Sequence, residues 1–151
     1  MSVVPQTTNL TTQQTVSSSN TTYVIDRGSI SLSASGPALA VDIGLSNVSV
    51  ILRDSLIENP LSLLGVGIQT DSTLLVQVGA QASIRAGSVA ISALTAAAGL
   101  DLFNEELITS GLVAISGPGE VNCRVVNFGR IAGATGGIKF NGPAIIRSRM
   151  P

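Results

Sequence analysis

The chain has 151 residues, of which 44 % are hydrophobic, 3 % aromatic and 11 % charged, where an ordinary globular domain carries about 25 % charged residues. A net charge of −1 argues against a nucleic-acid or anionic-membrane partner, and the absence of histidine excludes a His-dependent triad or a His-ligated metal. A core of Val, Ile, Leu and Ala under a surface of Ser, Thr, Asn, Gln and Gly fits a β-rich repeat protein better than a helical one.

Residues 1–22 (MSVVPQTTNLTTQQTVSSSNTT) lack any apolar repeat and are rich in Thr, Ser, Gln and Asn. They are expected to form an N-terminal polar cap, partly disordered at its start, ahead of a β-helix domain over 23–151. No basic stretch precedes an apolar one at the start and no apolar run reaches the roughly 18 residues of a membrane span, so neither a signal peptide nor a membrane partner is expected. The single Cys123 has no partner for an internal disulfide.

From residue 23 the chain repeats. Each apolar block closes on an isoleucine: Ile30, Ile57, Ile84, Ile108 and Ile131, spaced 27, 27, 24 and 23 residues apart. Six positions earlier stand Val24, Ile51, Val78, Leu102 and Val125. A second strand follows each anchor, through Leu39/Val41, Val66/Ile68, Val89/Ile91, Val113/Ile115 and Ile138; the sequence VAIS occurs in two successive copies, 89–92 and 113–116. The offset from the anchor to this strand shortens by four residues after the second copy, which places a deletion in one loop. A third strand lies on the return path near Val48, Leu75, Leu100 and Cys123. Three short alternating strands per coil, with Gly, Ser, Asn or Asp at the corners, describe a parallel β-helix. The columns Val24-Ile51-Val78-Leu102-Val125 and Ile30-Ile57-Ile84-Ile108-Ile131 are expected to point inward. The stretch TAAAGLDLFNEELI (95–108) has helical propensity, but Leu100, Leu102 and Ile108 keep register with strand-like columns in every other coil, so strand is expected there, with Thr95–Gly99 as an irregular bulge.

The segments IDRGSISLSASGPALAVDIG (25–44), FNEELITSGLVAISG (103–117) and NFGRIAGATGGIKFNG (127–142) resemble the right-handed β-helix repeats of bacterial surface and autotransporter-type passenger proteins, whose Asn-x-Gly-x-Ile turn matches Asn127-Phe128-Gly129-Arg130-Ile131. The resemblance covers residues 23–146 and rests on a short, degenerate motif. It implies an all-β, single-stranded right-handed parallel β-helix of about five coils of 23–27 residues, three strands per coil. It also implies an extracellular, adhesin-like setting, in which a glycan or host protein would be the partner. Low aromatic content, with Tyr23 the only tyrosine and no tryptophan, counts against glycan stacking.

The chain departs from such repeats by carrying large apolar residues where polar ones are usual. Leu56 and Leu107 stand one position before their anchors, Ile25, Leu52 and Phe103 five before, and the second coil turns through NPLSLLG with Leu61, Leu63 and Leu64. These eight residues are expected to form an apolar outer face that drives homo-oligomerisation, with Leu52, Leu56, Phe103 and Leu107 on one sheet and Ile25 at its rim. A natural β-helix re-surfaced to self-assemble would look like this. The alternative is that the leucines fold under loops.

No catalytic, cofactor-binding or metal-binding residue is expected, and no cofactor. Asp26 beneath Arg53, Arg27 beneath Asp54 and Glu58 beneath Arg85 read as stacked ion pairs rather than a polysaccharide-lyase site, since acids alternate with bases. Asp42, Asp71 and Asp101 fit no Ca²⁺ loop, Glu105 and Glu106 point to opposite faces, and the glycines of 129–137 lack the Gly-Lys-Ser/Thr of a phosphate loop. The sequons at Asn9, Asn20 and Asn47 are what a Thr/Ser/Asn-rich chain produces by chance. The leading expectation is therefore a structural, self-assembling solenoid; a binding module is second and a carbohydrate lyase or hydrolase a distant third.

Overall fold

In the computed structural model, which describes residues 1–95, 98–117, 123–140 and 144–148, every regular element is a strand. The chain runs β1 (Ser2–Gln6), β2 (Asn9–Leu10), β3 (Gln14–Val16), β4 (Thr21–Asp26), β5 (Ser29–Ser31), β6 (Gly36–Val41), β7 (Val48–Arg53), β8 (Leu56–Asn59), β9 (Gly65–Thr70), β10 (Leu74–Val78), β11 (Ser83–Ala86), β12 (Val89–Ala93), β13 (Leu100–Asn104), β14 (Leu107–Ser110), β15 (Val113–Gly117), β16 (Cys123–Asn127), β17 (Arg130–Gly133), β18 (Gly136–Phe140) and β19 (Ala144–Ser148). Every third strand pairs in parallel, giving a first sheet of seven strands (β1 to β19) and a second and third of six each. The five expected coils are β4–β18. Strands β13 and β14 occupy the stretch whose helical propensity competed; of its bulge, Ala96 and Ala97 lie outside the described residues, as do Asn141 and Gly142 at the end of the segment 127–142.

Residues 1–22, expected outside the repeat and partly disordered, instead supply a further coil: β1, β2 and β3 pair with β4, β5 and β6. Its repeat is hidden because two of its inward positions are glutamines. Gln6 pairs with Ile25 and Gln14 with Leu39, both core residues.

The isoleucine anchors stack as read: Ile30, Ile57, Ile84, Ile108 and Ile131 are mutual partners in the second sheet, with the first four fully buried. The other inward column needs correction. In the first sheet the inward residues are Tyr23-Val50-Val76-Leu102-Val125 and Ile25-Leu52-Val78-Asn104-Asn127, so Val24 and Ile51 face outward while Val78, Leu102 and Val125 face inward. The cause is a corner of variable length. Five residues separate Ile25 from Ile30 and Leu52 from Ile57, six separate Val78 from Ile84, and four separate Asn104 from Ile108 and Asn127 from Ile131. Counting back from the anchor at fixed offset therefore slips by one residue, and on a period-2 lattice a slip of one exchanges the two faces.

The corners are held by a few polar side chains. Arg27, Asp54 and Gln81 occupy equivalent sites in three successive coils with φ between 44° and 65°, a left-handed turn that redirects the chain within one residue. The shorter later corners use Asn104 and Asn127 instead: Asn104 Nδ2 donates to Asn127 Oδ1 at 2.7 Å, and Asn127 Nδ2 donates to the Gly129 carbonyl at 3.0 Å. The expected shortening by four residues holds from the second long coil to the next, but the first two coils differ by two: the partners Leu39, Ile68 and Ile91 stand nine, eleven and seven residues past their anchors. Between the second and third sheets the first two long coils turn through Leu32–Ser35 and Pro60–Leu64, the later ones through two residues. Fully buried Asn59 ties both long loops, donating to the Ala34 and Gly36 carbonyls at 2.8 and 2.7 Å.

The repeated VAIS belongs to the third sheet. Val89 and Val113 face outward, while Ala90 and Ala114 join Ile91 and Ile115 inside. Two consecutive inward residues break strict alternation. The first can only be small, as Gly67 shows in the coil before: a Cβ there would stand 2.8 Å from the Ile84 side chain.

Candidate functional site

The eight residues expected to form one outer face are dispersed over four environments. Ile25 and Leu52 are fully buried core residues of the first sheet, 0 % exposed, for the register reason given above. Leu56 and Leu107 do face outward, half-buried, but on the second sheet, in a column broken by Ser83. Leu61, Leu63 and Leu64 lie in the long loop after β8, with Leu61 half-buried and Leu63 and Leu64 67 % and 58 % exposed. Phe103 alone faces outward on the first sheet. The patch that pointed to a re-surfaced β-helix is therefore not a single face.

A different apolar strip takes its place. Outward along the first sheet run Pro5, Val24, Ile51, Gln77, Phe103 and Val126, paired strand to strand. Beside them run Thr22, Ser49, Leu75, Asp101, Arg124 and Ile145. Phe128, 44 % exposed at the next corner, packs on Phe103 with ring centroids 5.3 Å apart at 52°, within the range of favourable tilted aromatic pairs. The third sheet offers only Val66, Val89 and Val113 beside a polar column of Gln69, Ser92 and Ser116. Among the described residues the second sheet adds Leu56 and Leu107, separated by Ser83, while the first sheet carries Ile51 and Phe103 in a longer apolar column.

Two depressions open on that face. One, of about 490 Å³, lies where Gln77, Gly79 and Ala80 leave a gap between Arg53 and Asp54 below and Phe103 and Glu105 above. The other, of about 480 Å³, lies towards the opposite edge, among Asn47, Ser49, Thr73, Leu75 and Asp101.

Some of the charged side chains near the strip are paired with one another. Asp101 accepts from Arg124 Nε at 2.9 Å on the next rung of the same sheet. The expected stacked pairs are only positioned: Asp26 does stand beside Arg53, and Glu58 beside Arg85. Yet Asp26 lies 3.4 Å from Arg27 instead, and Glu58 accepts a 2.6 Å hydrogen bond from Ser31 Oγ. Sequence spacing finds which rungs adjoin; it does not decide which of several nearby donors a short carboxylate reaches. Cys123 is buried at 3 % exposure below Ala144 and above Leu100, and burial pushes its thiol above the ordinary value. Burial does the same to the Tyr23 phenol. Both groups are neutral core components.

Val24, Ile51, Leu75 and Val126 were missed because they were counted inward or passed over. The signal was present: in Val24-Ile25-Asp26 and Ile51-Leu52-Arg53 the inner residue is the middle one, provided the corner is allowed to vary in length.

Compared with family models, curated proteins and solved structures, the chain matches none.

Proposed function

We propose that this chain is a non-enzymatic solenoid scaffold that self-associates side by side through the outer face of its first sheet. The observation that carries the reading is the strip Val24, Ile51, Phe103 and Val126, four rungs of large apolar side chains interrupted only by Gln77. Contiguous apolar surface rimmed by polar groups marks an interaction site, and burying it contributes about 25 cal/mol per Å² before association costs. A second copy presents a strip of the same width and the same straight column. The non-enzymatic part is supported by the state of the carboxylates: Asp26, Glu58 and Asp101 each have a basic or hydroxyl partner rather than converging on one point, as acid–base chemistry requires.

The test is a pair of double variants. Ile51→Asp with Phe103→Asp puts two carboxylates on the strip without touching the core, and is expected to leave a folded monomer by sedimentation velocity. Leu56→Asp with Leu107→Asp places the same charges on the second sheet and is expected to leave the assembly unchanged. If both variants keep the parent's mass, or if only the second dissociates, the first sheet is not the interface.

The second reading is a binding module in which the same face holds an external protein, as the resemblance to adhesin passengers implies. The two depressions of about 490 and 480 Å³ favour it, because they offer room for side chains of an extended partner. It predicts a parent chain that is monomeric and a partner whose binding is lost in the Ile51→Asp, Phe103→Asp variant.

A further inference from the structure

We propose that the second copy docks on the first sheet with its solenoid axis reversed, related by a two-fold axis that runs along β10. The inference rests on the self-association proposed above and supplies its geometry. Two outward columns flank the apolar strip. One holds Asp26, Arg53, Gly79, Glu105 and Phe128 on successive rungs. The other holds Ser49, Leu75 and Asp101. Among the described residues the ion pairs are Asp26 with Arg27 and Asp101 with Arg124, so Arg53 and Glu105 are left without a partner of opposite charge. They stand two rungs apart, about 10 Å, on either side of Gly79. Glu105 leans over that gap: a Cβ on Gly79 would lie 4.0 Å from its Oε2.

Sheets packed face to face keep their strands within about 30° of one another, which leaves two symmetric arrangements centred on the strip. In both, every contact occurs twice. A two-fold axis along the solenoid sets each rung on its own equivalent and exchanges the flanking columns. Glu105 then lies over Asp101 of the second copy, and Arg53 over its Ser49. Like charges meet, and Arg53 is desolvated without a carboxylate. A two-fold axis along β10 reverses the order of the rungs and sets each column on itself. Arg53 then meets Glu105 of the second copy and Glu105 meets its Arg53, so one operation matches both unpaired charges. Ile51 meets Phe103 of the second copy. Gln77 meets its own equivalent, and an amide, being donor and acceptor at once, pairs with itself. The break in the apolar strip thus falls on the axis. The depression of about 490 Å³ beside Gly79 is the room that the crossing Arg53 and Glu105 side chains need.

The test is charge reversal on the full chain, read by sedimentation velocity. Arg53→Glu and Glu105→Arg each set like charges against one another at two places, and each is expected to raise the self-dissociation constant by at least about tenfold. An equimolar mixture of the two variants is expected to return to the parent's constant, because each reversed side chain then meets its opposite on the other chain. Arg130→Glu, on the second sheet, changes the net charge as Arg53→Glu does and is expected to leave the constant unchanged. The reversed pairing is overturned if the parent associates and both single variants associate as it does, or if the mixture stays as dissociated as its components. A parent that is monomeric at every concentration overturns the side-by-side reading itself, and the pairing with it. Should Arg53→Glu fail to fold by circular dichroism, Glu105→Arg alone decides. The reversed arrangement predicts weaker association for it, and tighter association, from relief of the contact with Asp101, overturns the proposal.

Discussion

Leu63 holds a backbone conformation that suits another residue. Its φ is 64° and its side chain is 67 % exposed, so it carries the left-handed strain of a branched-chain residue with little burial in return. Leu63→Gly is expected to raise stability by about 1 kcal/mol, seen as a higher urea midpoint at unchanged slope. A lower midpoint would mean that the leucine packs on something that offsets the strain. Gly67 is the opposite case. A methyl there would approach the Ala90 carbonyl oxygen to 2.5 Å and Ile84 Cγ2 to 2.8 Å, both in a packed interior. Gly67→Ala is expected to cost about 1–3 kcal/mol in the same measurement, although alanine is what the next two coils use at the equivalent position.

At the scale of strands and corners, the strand pattern was legible and the corners were not. The anchor isoleucines, the three strands per coil and the deleted loop could be read because each is a repeated apolar spacing, and period-2 alternation is a strong constraint within a strand. Corner length left no such trace. Gly79-Ala80-Gln81-Ala82-Ser83 is one residue longer than Arg27's corner, and both are made of small and polar residues. That ambiguity exchanged Val24 for Ile25 and Ile51 for Leu52, and so moved the candidate face. The first coil was illegible for a related reason, since Gln6 and Gln14 stand where the repeat predicts aliphatic residues. Asn104 is 0 % exposed and continues the column of Ile25, Leu52 and Val78. Its amide bonds Asn127, and its Oδ1 accepts from the Glu106 amide at 3.3 Å. Asn104→Leu matches the apolar column below it, yet it is expected to destabilise by about 1–3 kcal/mol because it strands the Asn127 carbonyl and a corner amide. A thermal midpoint equal to or above the parent's would show the ladder to be dispensable.

For the molecule as a whole, core and surface divide the work. The interior columns stack rung on rung into a parallel solenoid, and the outer face of its first sheet carries Val24, Ile51, Phe103 and Val126 with a break at Gln77. The candidate site was only partly legible, because the composition announces too many leucines for a polar-coated solenoid but does not say on which face they emerge. Phe103 faces outward on the first sheet, Leu56 and Leu107 face outward on the second, and Ile25 and Leu52 face inward on the first. Self-association of the solenoid can be tested on the unmodified chain. Light scattering coupled to size exclusion, over a hundredfold dilution, is expected to show a discrete oligomer at high concentration that moves towards the monomer mass as it is diluted. A mass equal to one chain at every concentration would contradict it.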